Sequence, residues 1–232
     1  MKEIPITYCK ETFFAELKSS GVAIFKGYFS GEECDDWVNC FRRRFLHADV
    51  IRTSGTNYRG KNDFFRLDIG DFQQCNARFN YVNMTYEWNN DHSFLKKIID
   101  LRDRFLCLGD WFSKKESEYR LNGSQFVNIP KTIFYPRGGG FMNMHSDGFN
   151  NNGIPNFLVS LSKRGDSFHS GGVYYVVNGL FIDAEEALEK GDVYAHLPSV
   201  EHGVSAVDRD LPLEDGTGYG RFSFNLSLER EN

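Results

Sequence analysis

The segment from Phe134 to Phe149 reads Phe-Tyr-Pro-Arg-Gly-Gly-Gly-Phe-Met-Asn-Met-His-Ser-Asp-Gly-Phe. A glycine turn in this segment is followed by a short apolar run, and His145 and Asp147 stand two residues apart near its end. Side chains two residues apart in an extended strand point to the same face. The pair can therefore offer one nitrogen and one oxygen to a single ion, and the segment predicts a strand that ends in part of a metal site.

A third ligand is needed, because two side chains hold a metal ion poorly. His202 lies well downstream in another apolar segment that is interrupted by turn residues. His196 is its rival for this role, but the Gly-Val that follows His202 and its distance from Arg221 favour His202. Two histidines and one carboxylate form a donor set that binds non-haem Fe(II) and leaves coordination positions open. The predicted metal ligands are His145, Asp147 and His202.

Length and composition limit the classes of protein to consider. A chain of 232 residues fits one domain, in which we expect residues 1–124 to supply helical support and a substrate or lid region, and residues 125–232 the catalytic core. The formal net charge of −5 argues against nucleic-acid binding through a basic surface. Five scattered cysteines suit reduced thiols, and no apolar leader or spanning segment is evident. We therefore expect a cytoplasmic protein without a membrane partner.

The first part of the chain alternates helix and strand signals. Glu11–Ser19 has the apolar spacing of a short helix, and Gly21–Phe29 reads as a strand. Ser30 and Glu33 form a capping box, which predicts the start of a second helix. A third helix is expected from Asn90 or Asp91 to about residue 115, because its apolar residues fall on one stripe.

Beyond residue 125 the pattern changes to short apolar strands separated by Gly, Pro, Asn and Asp. No helix long enough to connect parallel strands lies among them, so the pattern predicts an antiparallel sandwich or jelly roll and an α+β fold. The predicted strands are Lys131–Tyr135, Phe141–His145, Phe157–Leu161, Gly172–Val177, Asp192–His196, Gly203–Val207 and Arg221–Leu228.

The last predicted strand carries a second chemical signal. From Arg221 to Leu228, polar and apolar residues alternate, with Arg221 and Ser223 on the polar face. We expect the apolar face to pack against the helices, so the polar face points into the barrel. A buried arginine requires an anionic partner, and an Arg fork beside a hydroxyl suits a carboxylate.

Taken together, His145-x-Asp147, His202 and Arg221-x-Ser223 resemble the Fe(II)- and 2-oxoglutarate-dependent dioxygenase superfamily, whose core is a double-stranded β-helix. The resemblance covers roughly residues 131–228 and extends loosely to residues 21–46. It implies Fe(II), 2-oxoglutarate and dioxygen as cofactor and cosubstrates, with release of succinate and CO2 as a substrate is hydroxylated. The longer interval between His202 and Arg221 is a departure from the family pattern, which places an insertion at 208–220.

The resemblance also implies roles for individual residues. His145, Asp147 and His202 would hold the iron. Arg221 would pair with the distal carboxylate of 2-oxoglutarate, and Lys131 or Arg137 would be next in line for that role. The other residues expected to contact the cosubstrate or orient a ligand are Ser223, Tyr135 and Asn143.

The substrate is expected to be a small, polar, anionic metabolite such as an amino acid, a sugar acid or a nucleotide-linked sugar. The irregular segment 50–90 and the barrel rim supply cations on an otherwise acidic chain, and local positive potential favours an anion. These candidate substrate residues are Arg59, Lys61, Arg66 and Arg137. Two alternatives remain open: a peptide or protein hydroxylase, and a non-catalytic cupin-like or lectin-like binding module. The Arg221-x-Ser223 pair counts against the binding module, because metal binding alone needs no buried cation.

Overall fold

The structure is a computed structural model that describes residues 3–45, 51–52, 64–71, 76–84, 93–108, 119–121, 124–147, 154–214 and 218–230. Within these residues the α-helices are α1 (Lys10–Ser20), α2 (Gly31–Phe45) and α3 (Ser93–Leu108), and Ala184–Glu186 forms a short 3-10 helix. The N-terminal strands are β1 (Ile6–Thr7), β2 (Val22–Phe25), β3 (Ile51–Arg52), β4 (Phe64–Leu67), β5 (Ala77–Arg78), β6 (Asn80–Met84) and β7 (Tyr119–Leu121). The remaining strands are β8 (Ser124–Pro136), β9 (Phe141–His145), β10 (Asn156–Ser160), β11 (Gly172–Val177), β12 (Leu180–Asp183), β13 (Val193–His196), β14 (Glu201–Ser205) and β15 (Gly220–Arg230).

The strands form two facing sheets. The larger sheet has the order β1-β2-β13-β10-β15-β8-β6-β4-β3, with β7 added beside β8, and the smaller sheet has the order β12-β11-β14-β9-β5. From β8 to β15 the chain crosses repeatedly between the sheets, with β8, β10, β13 and β15 in the larger one and β9, β11, β12 and β14 in the smaller. This interleaving is that of a jelly roll. The predicted α+β fold with a double-stranded β-helix core is confirmed.

The three helices cover the outer face of the larger sheet. Phe222, Phe224 and Leu226 of β15 are buried in one apolar cluster with side chains of α1, α2 and α3. The ring of Trp37 meets that of Phe224 at 5.3 Å between centroids. Because side chains alternate along a strand, this packing leaves the polar side of β15 facing the smaller sheet. The predicted orientation of the last strand is therefore confirmed.

The element boundaries follow local sequence signals. The capping box at the start of α2 is present: the Ser30 backbone N–H donates to Glu33 Oε2 at 2.7 Å, and the Glu33 N–H donates to Ser30 Oγ at 3.1 Å. The described part of the apolar stripe of α3 is buried, and Phe105 is fully inaccessible. The ends predicted for α3, before residue 93 and beyond residue 108, lie outside the described residues. Among the described residues, no helix combines the length and apolar character needed to cross a membrane.

Several strands were not predicted. Leu180–Asp183 forms β12 at the edge of the smaller sheet, and its outer residues are exposed, so no buried apolar run marks it. In the segment predicted to be irregular, β3, β4 and β6 extend the far edge of the larger sheet. β3 is the edge strand, whereas β4 and β6 each pair with a neighbour on both sides. All three strands are short and lack the sustained alternation of polar and apolar residues that predicts a strand from sequence.

Candidate active site

A cavity of about 150 Å³ lies between the two sheets, on the inner side of β15. Its walls come from strands of both sheets. The charged, imidazole and hydroxyl-bearing residues that line it are Lys131, Tyr135, His145, Asp147, Tyr175, Tyr194, His196, His202, Arg221 and Ser223. The two groups of residues that the sequence singled out, the histidine–aspartate set and the buried arginine, therefore line the same cavity inside the jelly roll.

The predicted metal ligands come together at one wall of this cavity. Strands β9 and β14 are antiparallel neighbours with His145 and His202 in register, so the two imidazoles lie side by side with ring centroids 4.4 Å apart. Asp147 follows β9 and turns towards both rings. One potential ligand atom from each of the three residues lies within 4.8 Å of the others. Such a cluster can place three donors around one ion.

Hydrogen bonds fix which nitrogen of each histidine faces the cluster. His145 Nδ1 lies 2.9 Å from the carbonyl of Asn143, and His202 Nδ1 lies 3.0 Å from that of Val200. Because a carbonyl only accepts, each Nδ1 carries the proton, and each Nε2 lone pair remains for a metal. The Nε2 atoms of His145 and His202 are each 3.7 Å from an Asp147 oxygen. Two imidazoles and one carboxylate prepared in this way fit Fe(II).

The pKa values of the cluster favour metal-binding protonation states. Burial and the neighbouring His196 lower the pKa of His202 to about 3, so its ring is neutral at pH 7. For Asp147, burial acts to raise the pKa, but the His196 hydrogen bond and the adjacent imidazoles outweigh it and hold the pKa below the usual aspartate range. The carboxylate is therefore ionised at neutral pH. These are the forms in which both residues bind metals.

Asp147 is held by two residues of the larger sheet. His196 and Asn156 are register partners on β13 and β10. His196 Nε2 lies 3.1 Å from Asp147 Oδ2, and the Asn156 amide donates to the same oxygen. The other nitrogen of His196, Nδ1, lies 3.1 Å from the Tyr175 hydroxyl. Since both nitrogens of His196 already have partners, the geometry favours His202 over His196 as the metal ligand.

We expect His196→Phe to weaken divalent-metal binding by about 10- to 100-fold, because a group that orients a ligating carboxylate contributes in this range. Titration of the metal-free protein with Mn(II) or Fe(II) under anaerobic conditions measures the change. Tyr175→Phe is the matched control, because it removes only the contact on the far side of the ring and should have the smaller effect. Wild-type metal affinity in His196→Phe would contradict the role assigned to this histidine.

Arg221 is the buried cation of the cavity. Its side chain is 1% exposed, and Nε donates to Glu185 Oε2 at 2.7 Å. Nη2 donates to the Tyr194 hydroxyl at 3.1 Å and Nη1 to Ser223 Oγ at 3.3 Å. Burial acts against the charged form, but Glu185 outweighs it and keeps the pKa of Arg221 above its ordinary value. The guanidinium is charged at all ordinary pH values.

Of the other three residues predicted to contact the cosubstrate or orient a ligand, two line the cavity and one does not. Tyr135 and Ser223 both line the cavity, and Tyr135 is the register partner of Arg221. The Tyr135 hydroxyl lies 3.6 Å from Met142 Sδ, a weak acceptor. The Asn143 side chain is exposed and does not line the cavity; this residue contributes its carbonyl to His145 instead. The role of the Asn143 side chain in orienting a ligand stays a prediction.

Of the four predicted substrate cations, the two that the structure describes, Arg66 and Arg137, do not line the cavity. Arg137 Nε lies 2.9 Å from Asp208 Oδ2, and neither Arg137 nor Arg66 is a lining residue. Arg66 Nε pairs with Asp68 at 2.8 Å, although the next residue, Leu67, does line the cavity. The contact with Asp208 gives Arg137 a structural partner, and its role in substrate binding stays a prediction. Arg59 and Lys61 lie outside the described residues.

Sequence reasoning missed Glu185 and Tyr194, and it did not use Asn156. Glu185 stands in a run of alanines and glutamates that resembles an exposed helix. The one sequence feature that could have pointed to a buried side chain packed against this segment is the Gly171-Gly172 pair. A Cβ on Gly172 would lie 2.4 Å from Glu185 Cγ, so a glycine is needed there for the glutamate to fit. Tyr194 and His196 share a face of β13, and this parity could have suggested that both point inward.

Comparison with known proteins gives structural matches only: no protein-family model and no curated protein matches the sequence. A prolyl-4-hydroxylase from Pseudomonas putida is 13% identical, with a TM-score of 0.64 over 97% of this chain and 100% of that chain. An oxidoreductase of the 2OG-Fe(II) oxygenase family from Burkholderia pseudomallei is 16% identical, with a TM-score of 0.57 over 100% of this chain and 98% of that one. A prolyl hydroxylase from Trichoplax adhaerens, in complex with a hypoxia-inducible factor peptide fragment, is 13% identical, with a TM-score of 0.57 over 95% and 88%. The chain therefore has the fold of the Fe(II)- and 2-oxoglutarate-dependent oxygenases, and the resemblance of its sequence to them is confirmed at the level of fold.

Proposed function

We propose that the chain is an Fe(II)- and 2-oxoglutarate-dependent oxygenase that hydroxylates a small, polar, anionic metabolite. One observation carries the proposal: the His145, Asp147 and His202 cluster and the buried Arg221 line the same cavity. Bound Fe(II), with 2-oxoglutarate and dioxygen, would supply the oxidising chemistry that yields succinate, CO2 and a hydroxylated substrate. A metal-binding module without catalysis has no need of a buried arginine in the wall of its cavity.

In this proposal the protein's part is binding and orientation. His145 and His202 would ligate through Nε2, and Asp147 through its carboxylate, held by His196 and Asn156. Arg221 would receive the distal carboxylate of 2-oxoglutarate, with Ser223 and Tyr135 as hydroxyl donors beside it. A charge-assisted hydrogen bond of this kind contributes about 1.5–3 kcal/mol.

The cavity wall supports this assignment because much of it is apolar. Leu158, Val173 and Val204 line it together with the polar groups. Apolar walls exclude water, which strengthens electrostatic interactions inside and protects a reactive site from side reactions. A cavity that combines apolar walls with polar groups is usual for sites that bind small molecules.

The anionic class of the substrate rests on Lys131. It lines the cavity and is the register partner of Asn225, another lining residue. Among the described lining residues, Lys131 and Arg221 are the lysine and arginine side chains, so one cation can serve the cosubstrate and the other a substrate carboxylate or phosphate. Arg59 and Lys61 remain candidate substrate residues, and Arg66 stands next to a lining residue.

A peptide or protein hydroxylase is the second candidate, favoured by the prolyl hydroxylases from Pseudomonas putida and Trichoplax adhaerens that were compared above. We expect carboxylate-bearing or phosphate-bearing small metabolites to stimulate succinate formation above the substrate-free rate, and proline-containing peptides to leave it unchanged. Succinate formation by the Fe(II)-loaded protein, measured against a panel of both classes, tests this.

His169→Ala is a suitable control for that panel, because the exposed His169 side chain lies outside the cavity. Stimulation by peptides alone would replace the small-molecule proposal by the peptide one. Absence of succinate formation under every condition would instead favour a binding module.

A further inference from the structure

A buried carboxylate lies behind the cavity's arginine. Glu185 and Arg221 are both 1% exposed, and Glu185 Oε2 accepts from Arg221 Nε at 2.7 Å. Arg221 lines the cavity and Glu185 does not. An arginine that already has a carboxylate partner need not attract a second one, so the ion pair affects how Arg221 can bind an anionic ligand.

The surroundings of Glu185 hold it in place. The same oxygen, Oε2, accepts from the backbone N–H of Val173 at 2.8 Å. Glu185 lies in the 3-10 helix that Asp183 caps by accepting from the Glu185 N–H. Gly172 has a φ of +120° and leaves no room for a Cβ, which would come 2.7 Å from Oε2. Backbone, helix cap and glycine thus fix the carboxylate before any ligand arrives.

The contact uses only one edge of the guanidinium. Glu185 takes Nε, whereas Nη1 and Nη2 have the neutral hydroxyls of Ser223 and Tyr194 as partners. Ser223 and Tyr194 also line the cavity. The two terminal nitrogens form the fork that binds a carboxylate with two parallel hydrogen bonds, and a carboxylate is a stronger partner than a hydroxyl. The fork therefore stays available to a ligand while Nε is held.

From this geometry we propose that Glu185 is a positioning residue that sets both the direction and the strength of anion binding by Arg221. It aims the fork into the cavity, and its negative charge reduces the attraction that a ligand carboxylate feels. The inference rests on the proposed function, in which that ligand is the distal carboxylate of 2-oxoglutarate. Orientation of Arg221 by Glu185 strengthens anion binding, whereas the negative charge of Glu185 weakens it. The two effects can be separated, because one substitution of Glu185 removes the charge and another removes the orientation.

The test measures binding to the Mn(II)-loaded full chain by calorimetry, with 2-oxoglutarate and with 2-oxobutyrate, which has the same 2-oxo acid group and no distal carboxylate. Glu185→Gln keeps an acceptor for Nε and removes the charge, so the Kd for 2-oxoglutarate should fall about tenfold relative to that for 2-oxobutyrate. Glu185→Asp keeps the negative charge, but its side chain is one methylene shorter, so the carboxylate no longer reaches Nε and Arg221 is no longer held in place. The ratio of the Kd for 2-oxoglutarate to the Kd for 2-oxobutyrate should therefore rise.

Asp192→Asn is the matched control. Asp192 is also 1% exposed and pairs with Lys26, but it does not line the cavity, so its loss should leave the ratio of the two Kd values unchanged. Opposite shifts in the two Glu185 variants support the proposal, and if Glu185→Gln does not fold, a raised ratio in Glu185→Asp still supports it. An unchanged ratio in the folded Glu185 variants overturns it. A wild-type protein that binds both ligands equally would count against the proposed function itself.

Discussion

Asp147→Ala should lose both bound metal and succinate formation while the protein remains folded. The carboxylate is the group towards which His145, His196 and His202 all turn, with Nε2 distances of 3.7, 3.1 and 3.7 Å. Without it, two imidazoles remain, and the donor set no longer fits Fe(II). Wild type should bind about one Fe(II) per chain, and metal content and succinate formation should both fall to background in the variant.

Asp147→Asn is the companion variant, because alanine leaves the amide of Asn156 and the ring of His196 without their acceptor, at a cost of about 1–3 kcal/mol. Asparagine retains the shape and one acceptor oxygen but lacks the charge. Thermal unfolding of both variants separates a folding defect from a metal-binding defect. If folded Asp147→Ala still produced succinate at a rate near that of wild type, the three residues would not be the metal ligands.

The core of the fold was predictable because a strand such as β15 has one face against apolar helices and the other face towards a polar cavity. Phe222, Phe224 and Leu226 face three helices, while Arg221, Ser223 and Asn225 face the cavity, and an alternating sequence records this division directly. The grouping of the three predicted metal ligands could be read from the sequence for a related reason. Both histidines lie on adjacent strands, and His145 and Asp147 are separated by one residue, so local spacing carries the geometry.

The residues that support these groups could not be read in the same way. Glu185 meets Arg221 from a different part of the chain, and its immediate neighbours look like those of an exposed helix. Asn156 reaches Asp147 only because β10 and β13 pair in one particular register. Such contacts depend on tertiary packing, whereas propensity and periodicity describe single elements.

Removing the charge of Arg221 should raise the Kd for 2-oxoglutarate by about 10- to 100-fold, because a charge-assisted pair with the distal carboxylate is lost. A single substitution is a poor test, since it leaves Glu185 buried without its partner, which costs about 3–5 kcal/mol of stability. The double variant Arg221→Gln/Glu185→Gln replaces the ion pair by two neutral amides. Binding of 2-oxobutyrate and of Mn(II) should stay near wild type in this variant, because neither needs the arginine.

Lys131→Met distinguishes the two cations that line the cavity. If Arg221 holds the cosubstrate, Lys131→Met should leave 2-oxoglutarate binding intact and raise the KM for an anionic substrate, since Lys131 lies on β8 beside Asn225 and apart from Glu185. If instead Lys131→Met loses 2-oxoglutarate affinity and the double variant keeps it, the distal carboxylate belongs to Lys131. Arg221 and Glu185 would then be an internal ion pair of the barrel, because a guanidinium buried at this depth must be neutralised whether or not a ligand reaches it.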